Sequence, residues 1–517
     1  MIRSPSSTNG LHFMNQQTTN KYDSEFCGNL PIHLINVIQP YGALLVVEKA
    51  SGNIVQVSEN ASQIFNVPFA ELPVLNFSQF CSTPFMASPE KNDLPQHLVI
   101  AGKSYLGIYH DYPDYFILEI NLESENENIG ATFVNVFHEL REAMTAIELA
   151  ESINSICEIA ALEMKKASGF DKVMIYRFDE NWNGFVIAEE KEDDMESYLH
   201  LTFPASDIPR QARELYLRNS YRFIPDRNYN PVKLHPVINP LTNTFLDMSD
   251  CNVRGVSMVH LEYLKNMGVT ASMSTRIIRD NKLWGLIACH HKTPMLMNYK
   301  MCSVFEFLSN IISSRIVTLE TQEKQLFSSN LSLKYSALIS ETYRSDSLFD
   351  TLLNEETNIL DLFNAEGAVI NYNGTVTRKG TVPEGIDIED IILWLNTKPQ
   401  ENIYFTNSLS LEYDYAKDYS DIASGMLAIP FDKSTDHYIL LFRPEATHVI
   451  NWGGNPEERI NFESDLKIYH PRYSFKIWQE KVSGISQPWQ ESELEMAQNL
   501  REFIKAFLNG KEYSHAN

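Results

Sequence analysis

Residues 299–343 read YKMCSVFEFLSNIISSRIVTLETQEKQLFSSNLSLKYSALISETY, and neither proline nor glycine occurs anywhere between Pro294 and Gly367. Proline removes a backbone donor and clashes inside a helix, and glycine weakens one by about 1 kcal/mol, so a long run without either favours long helices. A helix over residues 299–343 would reach roughly 65–70 Å at about 1.5 Å per residue. No single domain needs such a rod, so it connects two. Beyond it, Ser345 or Asp346 is placed to cap a second helix through DSLFDTLLNEETNILDLF.

On the N-terminal side, a helical segment from Ala143 to Lys166 carries apolar Ile147, Ile153, Ile156, Ala160 and Leu162 and leads into the strand KVMIYRF. The strands TASMSTRIIR and LWGLIACHH, joined by a turn at Asp280-Asn281, close this domain. The Pro- and Asn-rich section Pro225–Pro240 reads as a long excursion rather than core. Earlier still, GALLVVE, GNIVQVS, YLGIYHDYPDYFILEI and ATFVNVF are the short apolar runs of an antiparallel α+β domain. The first 26 or so residues are polar and aperiodic, a flexible arm.

On the C-terminal side, GAVINY, MLAIPF and HYILLFRPE are strands, and residues 447–484 read as an extended hairpin. Pro488 precedes a final helix with Leu494, Ala497, Leu500, Ile504 and Leu508 on one face. The expectation is an α+β chain of three domains, each with a central antiparallel sheet. The arm takes residues 1–29 and the domains take 30–138, 139–322 and 323–517.

The chain has 517 residues, 44% hydrophobic, enough for three or four ordinary cores. Its 42 basic and 67 acidic residues give a net charge of −25, which argues against nucleic acid or an anionic membrane surface as partner. No stretch approaches the roughly 18–20 uninterrupted apolar residues of a membrane span, and the start MIRSPSSTNGLHF has no secretory core, so a cytoplasmic protein is expected. The six cysteines, Cys27, Cys81, Cys157, Cys251, Cys289 and Cys302, contain no CxxC pair and indicate neither a disulfide framework nor structural zinc. Cys157 and Cys289 fall in apolar helix and strand patterns and read as core.

Four separated stretches together carry a resemblance. They are Cys27 followed by PIHLINVIQPYGALLVVE; FPASDIPRQARELYLR from Phe203 to Arg218; RGVSMVHLEYLKNMGVTASMS running on to WGLIACHH; and the pair WGGNP, residues 452–456, and HPRYSF, residues 470–475. In order and separation they resemble the photosensory part of the bacteriophytochromes, from Cys27 to about residue 510. The resemblance implies PAS, GAF and PHY domains, with a long helix joining the last two. It also implies an arm knotted through the excursion at residues 225–256, and a tongue hairpin over 447–484.

The implied function is red/far-red light sensing by a bilin. Phytochromes that hold reduced bilins use a GAF-domain cysteine directly before the pocket histidine, and that position is Val259 here. The resemblance therefore implies biliverdin IX-alpha, thioether-linked to Cys27. A bilin carries two propionates and a charged conjugated system. Its pocket must exclude water, set cations beside the propionates and offer acceptors to the pyrrole N–H groups.

By resemblance Arg222 and Arg254 take the propionates with Ser257, Ser272 and Ser274, where an isolated Arg is more often a surface charge. Asp207 lies beside the pigment, although an Asp in SDIP also suits a helix N-cap. His260 is placed near the inner pyrroles and His290 near the terminal D ring; each also reads as an ordinary structural histidine. Tyr176, Phe203, Tyr216 and Tyr263 form aromatic walls and equally suit plain packing. In the tongue, Arg472 pairs with Asp207 in one light state, with Ser474, Trp452, Gly453 and Gly454 in signalling contacts; a surface hairpin is the bland reading.

The adjacent His290-His291 pair invites a metal, but no third ligand at helical or hairpin spacing accompanies it. Enzyme chemistry has little support, since GxSxG, GxxxxGK and HExxH are all missing. A chromophore-free PAS–GAF–PHY regulator of another small ligand stays open. The resemblance implies a parallel homodimer and output through a histidine kinase or response-regulator pathway. No kinase glycine loops follow residue 510, which suits either a chain cut short or a sensor that works through a partner.

Overall fold

Three antiparallel sheets and a helix of 46 residues, Tyr299–Arg344, organise the computed structural model. It describes residues 31–81, 95–122, 141–345, 347–356, 358–398, 402–431, 436–446, 448–456, 460–462, 469–471 and 473–515. The arm with Cys27, the run ATFVNVF and Arg472 lie outside the described residues. The chain divides into two compact units, one running through Arg315 and including Gly453–Ile477, the other comprising Ile316–Trp452 and the chain from Trp478 onward. The middle of the expected tongue thus belongs with the first unit.

In the first sheet the strand order is Val37–Ile38, Val232–His235, Ile54–Ser58, Gly42–Glu48, Tyr115–Asn121, Lys103–Asp111, Pro95–Ile100. Its central strand GALLVVE is apolar from Gly42 to Val47 because both faces are covered there. Leu45 and Val47 join Val57, Ile64, Phe65 and Leu118 in one core. Leu44 and Val46 join Leu234, Leu246, Met248 and Val253 in another. The section 225–240 is therefore not a bare excursion: it supplies a strand to this sheet, and Leu234 is 1% exposed. A short strand among prolines and asparagines carries too little periodicity to be read from sequence. The approach to the arm is held against the residues that flank this section, with Gln39 Nε2 donating to the Phe223 and Arg254 carbonyls and Gly255 N–H to Val37 O. Whether the arm is threaded there turns on residues outside those described.

Six consecutive strands of the second, eight-stranded sheet run Tyr221–Ile224, Ala271–Arg279, Lys282–His291, Lys172–Phe178, Gly184–Lys191, Thr202–Phe203. Asp280 and Asn281 both have positive φ, as a two-residue hairpin turn of this twist requires. The helix expected over residues 143–166 is two helices, 141–149 and Ile153–Ser168, because Ser152 turns extended and caps the second by accepting from Ser155 N–H. Gly169 ends it in the left-handed conformation. Ile156, Cys157, Ala160 and Met164 of that helix are buried, as are Phe305, Leu308 and Ile312 of the long helix. By length and composition alone the long helix could cross a membrane, but half of its most apolar stretch is buried in the protein, as in a core helix. Phe305 packs edge-on to Phe170, and Ser313 Oγ accepts from Ile278 N–H.

In the second unit the strands run Thr375–Gly380, Gly367–Tyr372, Tyr438–Arg443, Gly425–Pro430, Tyr404–Thr406. The cap expected at Ser345 or Asp346 is Ser347, and it starts a short helix, Leu348–Leu352. Asn358 caps another, Ile359–Phe363. Two polar caps within ten or so residues split what the apolar spacing suggested was one helix. The final helix, Glu491–His515, buries Ala497, Leu500 and Ile504. Its start is fixed by Glu493, whose carboxylate accepts from Gln490 N–H and from Arg443, 2.6 Å away and stacked on Trp489.

Candidate functional site: a cationic, aromatic-walled recess

One face of the second sheet carries Met174 and Tyr176, which as alternate residues of a strand point the same way. Tyr176 lies over Gly184 on the neighbouring strand, where a Cβ would come within 1.6 Å of the tyrosine ring; only glycine lets the ring lie flat there. Tyr176 meets Phe203 at 6.0 Å, and Phe203 meets Tyr198 edge-on at 5.7 Å. Phe475 continues the wall, 6.3 Å from Tyr198 and 5.3 Å from Tyr263. Gly453 brings its backbone against Phe203, 2.8 Å from where its Cβ would stand. Edge-to-face contacts of this kind add about 0.5–1.5 kcal/mol each beyond area burial and hold the rings in fixed orientations.

Asp207 ends a short turn, Ala205–Asp207, and is not a helix cap; the next helix, Arg210–Arg218, follows Pro209 without side-chain capping. Arg213 secures the turn by donating to the Ile208 carbonyl at 2.7 Å and packing over Trp182. The Asp207 carboxylate accepts from Tyr263 O–H at 2.8 Å. Tyr263 and His260 lie on the helix Met258–Asn266, capped by Ser257, with the two rings stacked 6.1 Å apart. Ser257 is thus partly committed as a cap, although its own O–H remains a donor.

Arg222 sits on the strand Tyr221–Ile224 opposite Ser274. Its guanidinium donates to three backbone carbonyls, of Asn252, Arg254 and Gly255. Arg254 is 8% exposed, and its Nη1 has no hydrogen-bond partner among the described residues. Burial, and then the neighbouring Arg222 charge, lowers Arg254 to about 9. Two guanidiniums held side by side in low dielectric, one of them unsatisfied, call for an anion. Ser274 shares a hydrogen bond of 2.5 Å with Tyr216, and Ser272 is buried opposite His290.

His260 is accessible at the surface, yet the protein around it and then Arg222 push its imidazole down to about 4. His290 is buried, with Nδ1 lacking a partner among the described residues. His291 faces the other side of the strand, 3.0 Å from Asp171, so the adjacent pair does not converge on one ion. Trp452 Nε1 donates to Glu480 at 2.7 Å, Gly454 takes a positive φ, and Ser474 is exposed with its hydroxyl accepting from Lys476 N–H.

Burial, followed by Lys172 and His260, lowers His290 to about 3. The unfolded chain takes up that proton below about 6.5 and the folded chain only near 3, so this stability is complete above about 6.5 and is lost as pH falls. At pH 5 the loss is about 2 kcal/mol. In urea unfolding of the pigment-free protein, His290→Gln is expected to lose about 2 kcal/mol less than the parent between pH 7.5 and 5. Equal losses would show that this histidine is not buried uncharged.

Sequence reasoning passed over Tyr198, Phe475 and Lys172. Tyr198 lies in an irregular loop that no periodicity marks, and Phe475 ends a motif weighed only for Arg472 and Ser474. The site thus sets a buried guanidinium that lacks a partner among the described residues in the same domain as a cluster of aromatic rings, a combination suited to an anionic ligand with flat apolar surface. Family models match the chain as PAS fold over residues 27–180, GAF domain over 152–316 and phytochrome region over 333–512. Cyanobacterial phytochrome B of Nostoc sp. is 37% identical over 93% of this chain and 66% of that protein. A bacteriophytochrome of Xanthomonas campestris pv. campestris is 34% identical over 94% of this chain and 79% of its own length. A crystal structure of a bacteriophytochrome from R. palustris superposes with a TM-score of 0.82 at 32% identity, over 94% of this chain and 99% of that one. The chain belongs to the phytochrome family, and it spans just under two thirds of the Nostoc relative, 66%.

Proposed function

We propose that this chain is the light-sensing module of a red/far-red photoreceptor holding biliverdin IX-alpha through a thioether to Cys27. The observation that carries this reading is Arg254, buried next to Arg222 with a guanidinium nitrogen that has no hydrogen-bond partner among the described residues. Bound there, the pigment supplies visible absorption and a double bond whose light-driven rotation turns its terminal ring.

The chain's own residues bind, orient and exclude water. Arg222 and Arg254, with Ser257, Ser272 and Ser274, receive the propionates. His260 and Asp207 lie toward the inner rings, and His290 serves the terminal ring as an uncharged hydrogen-bond partner. Tyr176, Phe203, Tyr216 and Tyr263 wall the terminal ring. Light shifts the protein's state only as far as contacts with the two isomers differ in free energy. The Asp207 carboxylate is the element poised to register that difference, because Tyr263 O–H already shares it and Arg472 is its second candidate partner.

The domain division at about residues 138 and 322, with a tongue over 447–484, belongs to this reading. So do a parallel homodimer, a cytoplasmic location and output through a histidine kinase or response-regulator partner, with the module itself catalysing nothing beyond its own pigment attachment. Protein produced with biliverdin should be blue-green and switch reversibly under alternating red and far-red light. Cys27→Ser should lose all pigment on a denaturing gel. Colourless protein, or colour without reversible change, sinks the reading.

A further inference from the structure

Lys172 opens the strand Lys172–Phe178 and is 1% exposed. An ammonium is buried this fully only where charge and hydrogen bonds replace its water. Its Nζ lies 3.6 Å from the buried Glu189 carboxylate and 3.8 Å from the centroid of the Tyr198 ring, and it donates to the Glu196 carbonyl. Tyr198 is also the ring that meets Phe203 and Phe475. Lys172 also stands directly across from His290 in the antiparallel register. Directly opposed residues present their side chains to one face, and strand alternation adds Met174 and Tyr176 to that face. The ammonium therefore stands against Tyr198 of the aromatic cluster and across from His290, whose Nδ1 has no hydrogen-bond partner among the described residues.

We propose that Lys172 is the electrostatic tuning residue of this site, a buried, titratable positive charge against its aromatic cluster that sets the absorption band of a conjugated cation bound there. This rests on the photoreceptor reading. Excitation moves charge along a conjugated cation, and a fixed charge at one end, weakly screened in a low-dielectric site, shifts the transition energy. The groups facing Lys172 are Glu189 and Lys191 on the neighbouring strand, Glu196 and Tyr198 on the loop after it, and His290 on the strand at its other side. Burial lowers the ammonium to about 8, with Glu189 opposing that shift.

Biliverdin-loaded parent protein is expected to change its absorption maximum reversibly around pH 8 as the ammonium is discharged. Lys172→Met is expected to hold a shifted maximum at every pH and to lack that transition, and Lys172→Arg to keep the parent's neutral-pH maximum without it. In pigment-free protein labelled with 15N-histidine, the His290 resonance, assigned by its loss in His290→Gln, should titrate about one pH unit higher in Lys172→Met. Should Lys172→Met not fold, Lys172→Met/Glu189→Gln removes both charges and must likewise lose the alkaline transition. An identical maximum and alkaline transition in parent and lysine-free protein overturns the proposal. If no form takes up pigment, the photoreceptor reading fails, and the His290 titration decides on the charge separately, an unmoved midpoint counting against it.

Discussion

Arg254→Met is expected to have opposite effects on the pigment-free and pigment-loaded protein. Without pigment, Arg254 is a buried cation beside another cation, with Nη1 unsatisfied. Its descent to about 9 from an ordinary 12.5 means that folding disfavours its charge; it is still protonated at pH 7, so the cost is borne in full there. That cost is roughly 3–5 kcal/mol, and methionine keeps most of the stem's packing. The methionine variant should unfold at higher urea concentration, gaining roughly 2 kcal/mol or more. With pigment, the same guanidinium is the natural partner of a propionate. Removing one side of a desolvated charge pair costs about 2–5 kcal/mol, a loss of about 30-fold or more in affinity. Titrating biliverdin into the Cys27→Ser background, where retention is noncovalent, reads that loss directly. A variant less stable without pigment and equally tight with it would mean that Arg254 is structural, and the anion site would have to be sought elsewhere.

This opposition explains why the arginine pair was visible in sequence only through resemblance. A lone Arg in NVRGV carries no mark of burial; its meaning comes from the strand Tyr221–Ile224 bringing Arg222 against the Arg254 carbonyl. The long helix, by contrast, was legible from local chemistry alone: absence of helix breakers is a property of each residue, and the helix runs Tyr299–Arg344 against an expected 299–343. The Asp280-Asn281 turn and the two flanking strands were legible for the same reason. Features set by tertiary partners were not. Ser347 and Asn358 cap because their neighbours' N–H groups point at them. Leu234 is core because a strand 180 or so residues away offers an open edge. The aromatic walls fall between these cases: Tyr176 and Phe203 sit in regular strands, whereas Tyr198 is placed by a loop.

Glu119→Ala is expected to be the most damaging single change to the first unit, because one carboxylate there joins the first sheet to the anion site. Glu119 lies on the strand Tyr115–Asn121 and is 3% exposed. One oxygen is 2.6 Å from His110 Nε2 and accepts from Asn252 N–H at 3.1 Å; the other accepts from Val253 N–H at 2.7 Å. Asn252 and Val253 directly precede Arg254, and the Asn252, Arg254 and Gly255 carbonyls are those that hold Arg222. Alanine leaves the Val253 N–H and the partly buried Asn252 N–H without their acceptor, each worth about 1–3 kcal/mol, takes away the carboxylate beside His110, and opens a cavity besides. A loss of about 3–5 kcal/mol in urea unfolding is expected, with faster hydrogen exchange at the Asn252 and Val253 amides. Glu119→Gln keeps an acceptor of the same shape and should lose less than half as much. Pigment uptake should fall with stability in the alanine variant, because the loop that positions both guanidiniums is released from its anchor. If Glu119→Ala stays within about 1 kcal/mol of the parent with those amides still protected, the carboxylate is not the anchor and the arginine pair is held in place by the chain between residues 33 and 39.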